Sequence, residues 1–116
     1  MNAVAGVLVG LVAALHLYFL VLEMFLWATP TGRRIFGLDA DFAERSKALA
    51  ANQGLYNGFL VAGLLWGLFS GRAEVRVFFL VCVVVAGVYG AATVSRRILV
   101  VQALPAAVAL VAVALS

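Results

Sequence analysis

Charge is scarce in this chain. Of 116 residues, 8 are Lys or Arg and 5 are Asp or Glu, together 11%. Soluble domains typically carry about 25%, so the composition argues against a water-soluble globule. Cysteine occurs once, as Cys82, which excludes an intramolecular disulfide and a cysteine-based metal cluster. Set among valines, that thiol reads as a small buried hydrophobe. Histidine also occurs once, as His16. With no second imidazole it reads as a core histidine rather than a metal or haem ligand, and no metal or cofactor is expected. No nucleotide-binding loop and no nucleophile–base pair is present, so catalytic residues stay unassigned. The net charge of +3 comes from scattered loop residues and forms no stripe suited to nucleic acid.

Apolar sequence is plentiful. Two-thirds of the chain is hydrophobic (66%) and the mean hydropathy is +1.17. Long apolar stretches cover residues 4–27, 50–69, 77–94 and 98–115. Each approaches the roughly 20 residues that cross about 30 Å of hydrocarbon at about 1.5 Å per residue. The runs are continuous and do not alternate with period two, which argues against a β-barrel. The first run is longer than a signal-peptide core of about 7–15 residues and lacks a basic leader. It also contains Glu23, and is read as a retained helix. The expectation is an all-α, polytopic membrane protein: one four-helix transmembrane bundle over residues 1–116, with helices near 4–27, 42–69, 77–94 and 98–115.

Basic residues set the topology. Arg33, Arg34, Arg45 and Lys47 lie between the first two runs, and Arg96 and Arg97 between the last two, against Arg72 and Arg76 in the middle loop. Six against two predicts the first and third loops in the cytoplasm of a cell-membrane protein, with both termini outside. "DFAE" reads as a capping box, with Asp41 at the N-cap and Glu44 at N3, starting the second helix near Phe42. Trp27 and Trp66 suit interfacial anchors. Pro105 removes a helical hydrogen bond and predicts a kink in the fourth helix. Gly6/Gly10, Gly54/Gly58 and Gly63/Gly67 have the small-xxx-small spacing of close helix contacts, within one bundle first, with a homodimer left open.

The intramembrane polar residues gather at one depth. Glu23 lies about 6 Å inside the boundary marked by Trp27, and Asn52, Gln53, Tyr56 and Asn57 at about 3–11 Å on the second helix. Tyr89, Thr93 and Gln102 fall in the same slab. On the first helix, His16, Leu20, Glu23 and Trp27 share a face by i, i+4, i+7, i+11 spacing. Asn52/Tyr56 and Gln53/Asn57 form two adjacent stripes. Taken singly, amides such as Asn52 and Gln102 serve as interhelical bonds worth about 0.6 kcal/mol each. Glu23 differs, because a charged side chain at the centre of a spanning helix costs about 2.5–3.5 kcal/mol even on the lenient scale. The layer is therefore expected to be one wall of a cavity for a proton or a small-molecule ligand.

The segments carrying this layer have a familiar form. "LHLYFLVLEMFLW-TP-G", "FGL" and above all "LAANQGLYNGFL-AGL-WG" resemble the DUF1304 family of small bacterial and fungal membrane proteins. The resemblance implies a four-helix integral membrane protein of uncharacterised function. It places the family's motif residues at His16, Glu23, Trp27, Pro30, Asn52, Gln53, Tyr56 and Asn57, and supplies no catalytic role.

Three functions fit these observations. The first is a proton-coupled small-solute transporter or permeation unit, similar in length and helix count to the small multidrug resistance exporters but without their motifs. The second is a membrane-embedded enzyme or lipophilic-ligand binder in which Glu23 or His16 acts on protons. The third is a structural accessory subunit. The lipid bilayer is the partner common to all three.

Overall fold

The structure is a computed structural model that describes residues 2–116. The chain is all-α. Its helices are α1 (Ala3–Phe25), α2 (Pro30–Phe36), α3 (Ala40–Ser70) and α4 (Ala73–Thr93), followed by a π-helical turn (Leu99–Ala103) that runs into α5 (Leu104–Ala114). The four apolar stretches correspond to α1, α3, α4 and the π turn with α5. Among the described residues, α1 and α4 are long and apolar enough to cross a membrane; Leu99–Ala114 is apolar but shorter. In α3, the charged residues Asp41, Glu44, Arg45 and Lys47 of the first turns and the polar run between Asn52 and Asn57 lower the hydropathy.

Local chemistry sets the helix ends. The Thr29 hydroxyl accepts from the Gly32 amide and Pro30 opens α2, whose Gly37 C-cap has φ 68°. That left-handed backbone favours glycine, as does Gly71 (φ 71°) between α3 and α4. The N-cap of α3 differs from the expected one. Asp39, not Asp41, accepts the Phe42 amide at 2.7 Å, and the helix starts two residues earlier. Asp41 and Glu44 instead pair with Arg45 and Lys47, each at 2.9 Å along the helix surface. A carboxylate caps best from just outside the first turn, and Asp39 holds that position.

The expected kink at Pro105 takes the form of a wide turn. The Leu104 amide bonds the Leu99 carbonyl five residues back. Proline in a helix interior leaves a carbonyl without its amide, and the π turn relaxes the backbone just ahead of it.

The chain divides into two compact units: Leu15–Val61, and residues 2–14 with Ala62–Ser116. In the larger unit, α4 packs against the π turn and α5. A side chain at Gly87 would lie 2.8–2.9 Å from the Ala103 backbone, so the missing Cβ permits the contact. Gly63 faces the Phe79 ring, and Gly67 faces Arg76. In the Leu15–Val61 unit, α1 and α3 meet at Gly54 and Gly58. A Cβ at Gly54 would sit 2.5 Å from Met24 Cγ and 3.2 Å from the Leu20 carbonyl, and one at Gly58 would sit 3.1 Å from Leu20 Cδ1. Both pairs therefore serve contacts within the chain, whereas Gly10 has open space where its side chain would be.

Alanines share the interior with valines and leucines such as Val9, Leu22, Leu64, Leu80 and Val83, while many large apolar side chains face outward. Ala5, Ala13, Ala43, Ala50, Ala103, Ala106 and Ala109 are buried. Phe78, Val81, Val85 and Val88 form an exposed stripe on α4, and Val100, Leu104, Val108 and Val111 one along the π turn and α5.

Candidate functional site

The site grows from the α1–α3 contact. Ala43, Ala50, Gly54 and Asn57 are the buried positions of α3 in this unit, at i, i+7, i+11 and i+14, which is one helical face. Leu20, Glu23 and Met24 of α1 meet that face at Gly54. The close approach brings the Asn57 amide to Glu23, where Nδ2 donates to Oε1 at 2.5 Å. Asn57 is 6% exposed and Glu23 is half-buried. Glu23 Oε2 makes no hydrogen bond among the described residues and is not sealed from the surface. One carboxylate oxygen is thus held by the Asn57 amide.

His16 occupies the same α1 face seven residues earlier, about 10 Å along the axis. It is buried, with its ring edge-on to Phe19 at a centroid separation of 5.3 Å. Two turns of helix separate it from the Glu23 carboxylate. At the other end, Trp27 Nε1 donates to Ser46 Oγ at 2.9 Å, and the Ser46 hydroxyl donates to the Phe42 carbonyl at 2.6 Å. The indole also packs on Phe36 of α2, centroids 4.8 Å apart.

The remaining polar residues of the expected layer are placed differently. Asn52, Gln53 and Tyr56 are exposed, Tyr56 by 54% with its ring edge-on to Phe59. The buried face of α3 runs through Ala50, Gly54 and Asn57 and follows neither stripe along its length, so it takes Asn57 and leaves Gln53, one turn earlier on the same stripe, exposed. Tyr89, Thr93 and Gln102 belong to the other unit. There Tyr89 is 71% exposed, the exposed Thr93 hydroxyl donates to the Tyr89 carbonyl at 2.7 Å, and Gln102 is half-buried in the π turn.

Arg76 is a buried polar residue that sequence reasoning had assigned to a loop. It lies in the first turns of α4, 3% exposed. Its Nη1 donates to the Gly67 carbonyl at 2.7 Å. That carbonyl is one of the last four of α3, which have no partner within their own helix, and they carry its partial negative charge. The guanidinium therefore caps α3. Arg76, Leu80, Val83 and Gly87 are all buried at i, i+4, i+7, i+11, and that spacing was the available signal.

Two of the clefts among the described residues bear on function. One, of about 270 Å³, lies at the end of α1 and is lined by Met24, Phe25, Trp27, Ala28, Thr29 and Lys47. The other, about 240 Å³, is wholly apolar and lies between α4 and the π turn with α5.

Known proteins give the chain a family but no activity. It is similar to "Uncharacterized protein YpaA" of Lactococcus lactis subsp. lactis (strain IL1403), 31% identical over 96 residues that cover 79% of this chain and 81% of that protein. No solved structure matches it. The family model described as "Protein of unknown function (DUF1304)" matches residues 10–114, and the chain belongs to the DUF1304 family.

Proposed function

We propose that the protein is an integral membrane protein in which α1, α3, α4 and the π turn with α5 each cross the bilayer, and that Glu23 with Asn57 forms the proton- and solute-contacting element of a small proton-coupled transporter. The membrane reading is supported by the outward stripes of Phe, Leu and Val and by the glycines at the helix contacts. In water such apolar stripes are costly, whereas in lipid small residues favour close helix packing. The excess of basic residues in the first and third loops supports a cell-membrane topology with both termini outside.

The observation that carries the site is the 2.5 Å bond from Asn57 to Glu23 inside apolar helices. Intramembrane carboxylates are rare and mark ion or proton paths. With Oε1 held by Asn57, Oε2 exchanges its proton for a cationic or polar solute. A chain this small needs a second copy to enclose a path, so the working unit in this reading is a homodimer.

Proteoliposomes with an imposed pH gradient test the reading, using ethidium, methylammonium and guanidinium as probe cations. Gradient-driven uptake of any of them by the wild type and its loss in Glu23→Gln support transport. Uptake unaffected by the substitution, or none of the three taken up, counts against it.

A second reading, a membrane-embedded enzyme or binder of a lipophilic ligand, is favoured by the outward Asn52, Gln53 and Tyr56, which a molecule arriving from the bilayer would meet first. A discrete adduct in native mass spectra of the wild type, absent in Glu23→Gln, would select it over transport.

A further inference from the structure

The cleft at the end of α1 shares Met24 with the Glu23–Asn57 site but is lined by neither Glu23 nor Asn57 and has a different chemistry. Its walls are Met24 and Phe25 from the last turn of α1, Trp27 and Ala28 from the bend that follows, and Lys47 from α3. Apolar surface thus meets a cation across one small opening. Its volume of about 270 Å³ is just below the roughly 300–1,000 Å³ of pockets for drug-sized ligands. It suits a headgroup fragment rather than a whole amphiphile. The indole wall is fixed, since Trp27 is bonded to Ser46 and packed on Phe36.

The local charge selects an anion. Lys47 is bonded to Glu44 at 2.9 Å, but both side chains are more than half exposed, and pairs of that kind contribute only about 0–1 kcal/mol. The ammonium can therefore be shared with an incoming anion at little cost. Asp41 is paired with Arg45, while Arg33 and Arg34 make no ion pair among the described residues. The segment between α1 and the first turns of α3 thus has positive charge in surplus. An anion approaching Lys47 from the bilayer would bring its apolar part alongside Met24 and Phe25.

We propose that this cleft binds the phosphate headgroup of an anionic phospholipid, with Lys47 meeting the phosphate and Met24 and Phe25 meeting the start of the acyl chains. The proposal rests on the membrane reading above, though not on transport. A juxtamembrane lysine contributes about a five-fold preference for anionic over neutral lipid.

Native mass spectrometry of the full chain, released from nanodiscs of equimolar phosphatidylglycerol and phosphatidylcholine, tests it. The wild type should retain phosphatidylglycerol about five-fold over phosphatidylcholine. Lys47→Ala should bring the two near parity, and Ala28→Leu, which fills the cleft without changing charge, should do the same. Arg45→Ala removes a more exposed cation outside the cleft and should leave the preference intact. Equal retention in wild type and Lys47→Ala, or an equal loss in Arg45→Ala, would overturn the site. Displacement of the lipid by inorganic phosphate would overturn the lipid assignment. Alkaline carbonate washing separates the two failures: a chain released from membranes refutes the membrane reading, whereas a resistant chain with no lipid preference refutes the cleft alone.

Discussion

Asn57 and Glu23 are separated by 34 positions in sequence and joined by a 2.5 Å hydrogen bond between α3 and α1. The contact exists because Gly54, one turn before Asn57, leaves no side chain between the helices. Asn57→Ala removes the amide and leaves a half-buried carboxylate without its donor. Such a loss costs about 1–3 kcal/mol. Denaturant titration in detergent micelles, followed by circular dichroism, should show it, and Asn57→Gln should not restore the geometry.

The glycines should separate by what their Cβ would meet. Gly54→Ala places a methyl 2.5 Å from Met24 Cγ, and Gly87→Ala one 2.8 Å from the Ala103 backbone nitrogen. Overpacking of this kind costs about 1–3 kcal/mol. Gly10→Ala meets nothing within 4 Å and gains helix propensity of up to about 1 kcal/mol. Thermal unfolding in detergent should therefore rank Gly10→Ala at or above wild type and the other two below it.

Arg76 and Arg72 sit four residues apart with opposite expectations. Arg76→Met leaves the Gly67 carbonyl without its buried partner and should destabilise the protein by about 1–3 kcal/mol. Arg72→Ala breaks an exposed pair with Glu74, worth about 0–1 kcal/mol. Amide hydrogen exchange provides the local readout: Arg76→Met should loosen the end of α3, and Arg72→Ala should leave it unchanged.

Trp27→Phe keeps a ring for Phe36 but loses the indole donor to Ser46. A neutral hydrogen bond contributes about 0.5–1.5 kcal/mol, so a modest fall in unfolding midpoint is expected. Ser46→Ala should give a similar fall, and the double variant should fall by less than the sum of the two.

Long apolar runs made the major helices legible in sequence, because a buried or lipid-facing helix needs little beyond continuous apolar side chains. Short polar signals were harder to place. The seven residues of α2 are too short for an apolar run, and their signal is the order Thr29, Pro30 and Gly37 as N-cap, first helical residue and C-cap. The capping-box pattern fits Asp41 with Glu44 alone, whereas Asp39 has Phe42 three residues on and caps by a single side-chain bond to the Phe42 amide, which no pattern of two residues marks. Arg76 was read as a loop cation by its nearness to Gly71, and only its i+4 and i+7 neighbours reveal a buried face. For the polar run at Asn52–Asn57, spacing alone does not decide which single residue faces α1. That depends on where α1 makes its closest approach, at Gly54.

The central claim is that Glu23 exchanges a proton within the site that Asn57 defines. Infrared difference spectroscopy of the bilayer-reconstituted protein between acidic and neutral pH tests it most directly. We expect the wild type to show a protonated-carboxyl band that disappears in Glu23→Gln and moves in frequency in Asn57→Ala. Identical difference spectra for wild type and Glu23→Gln would contradict the account.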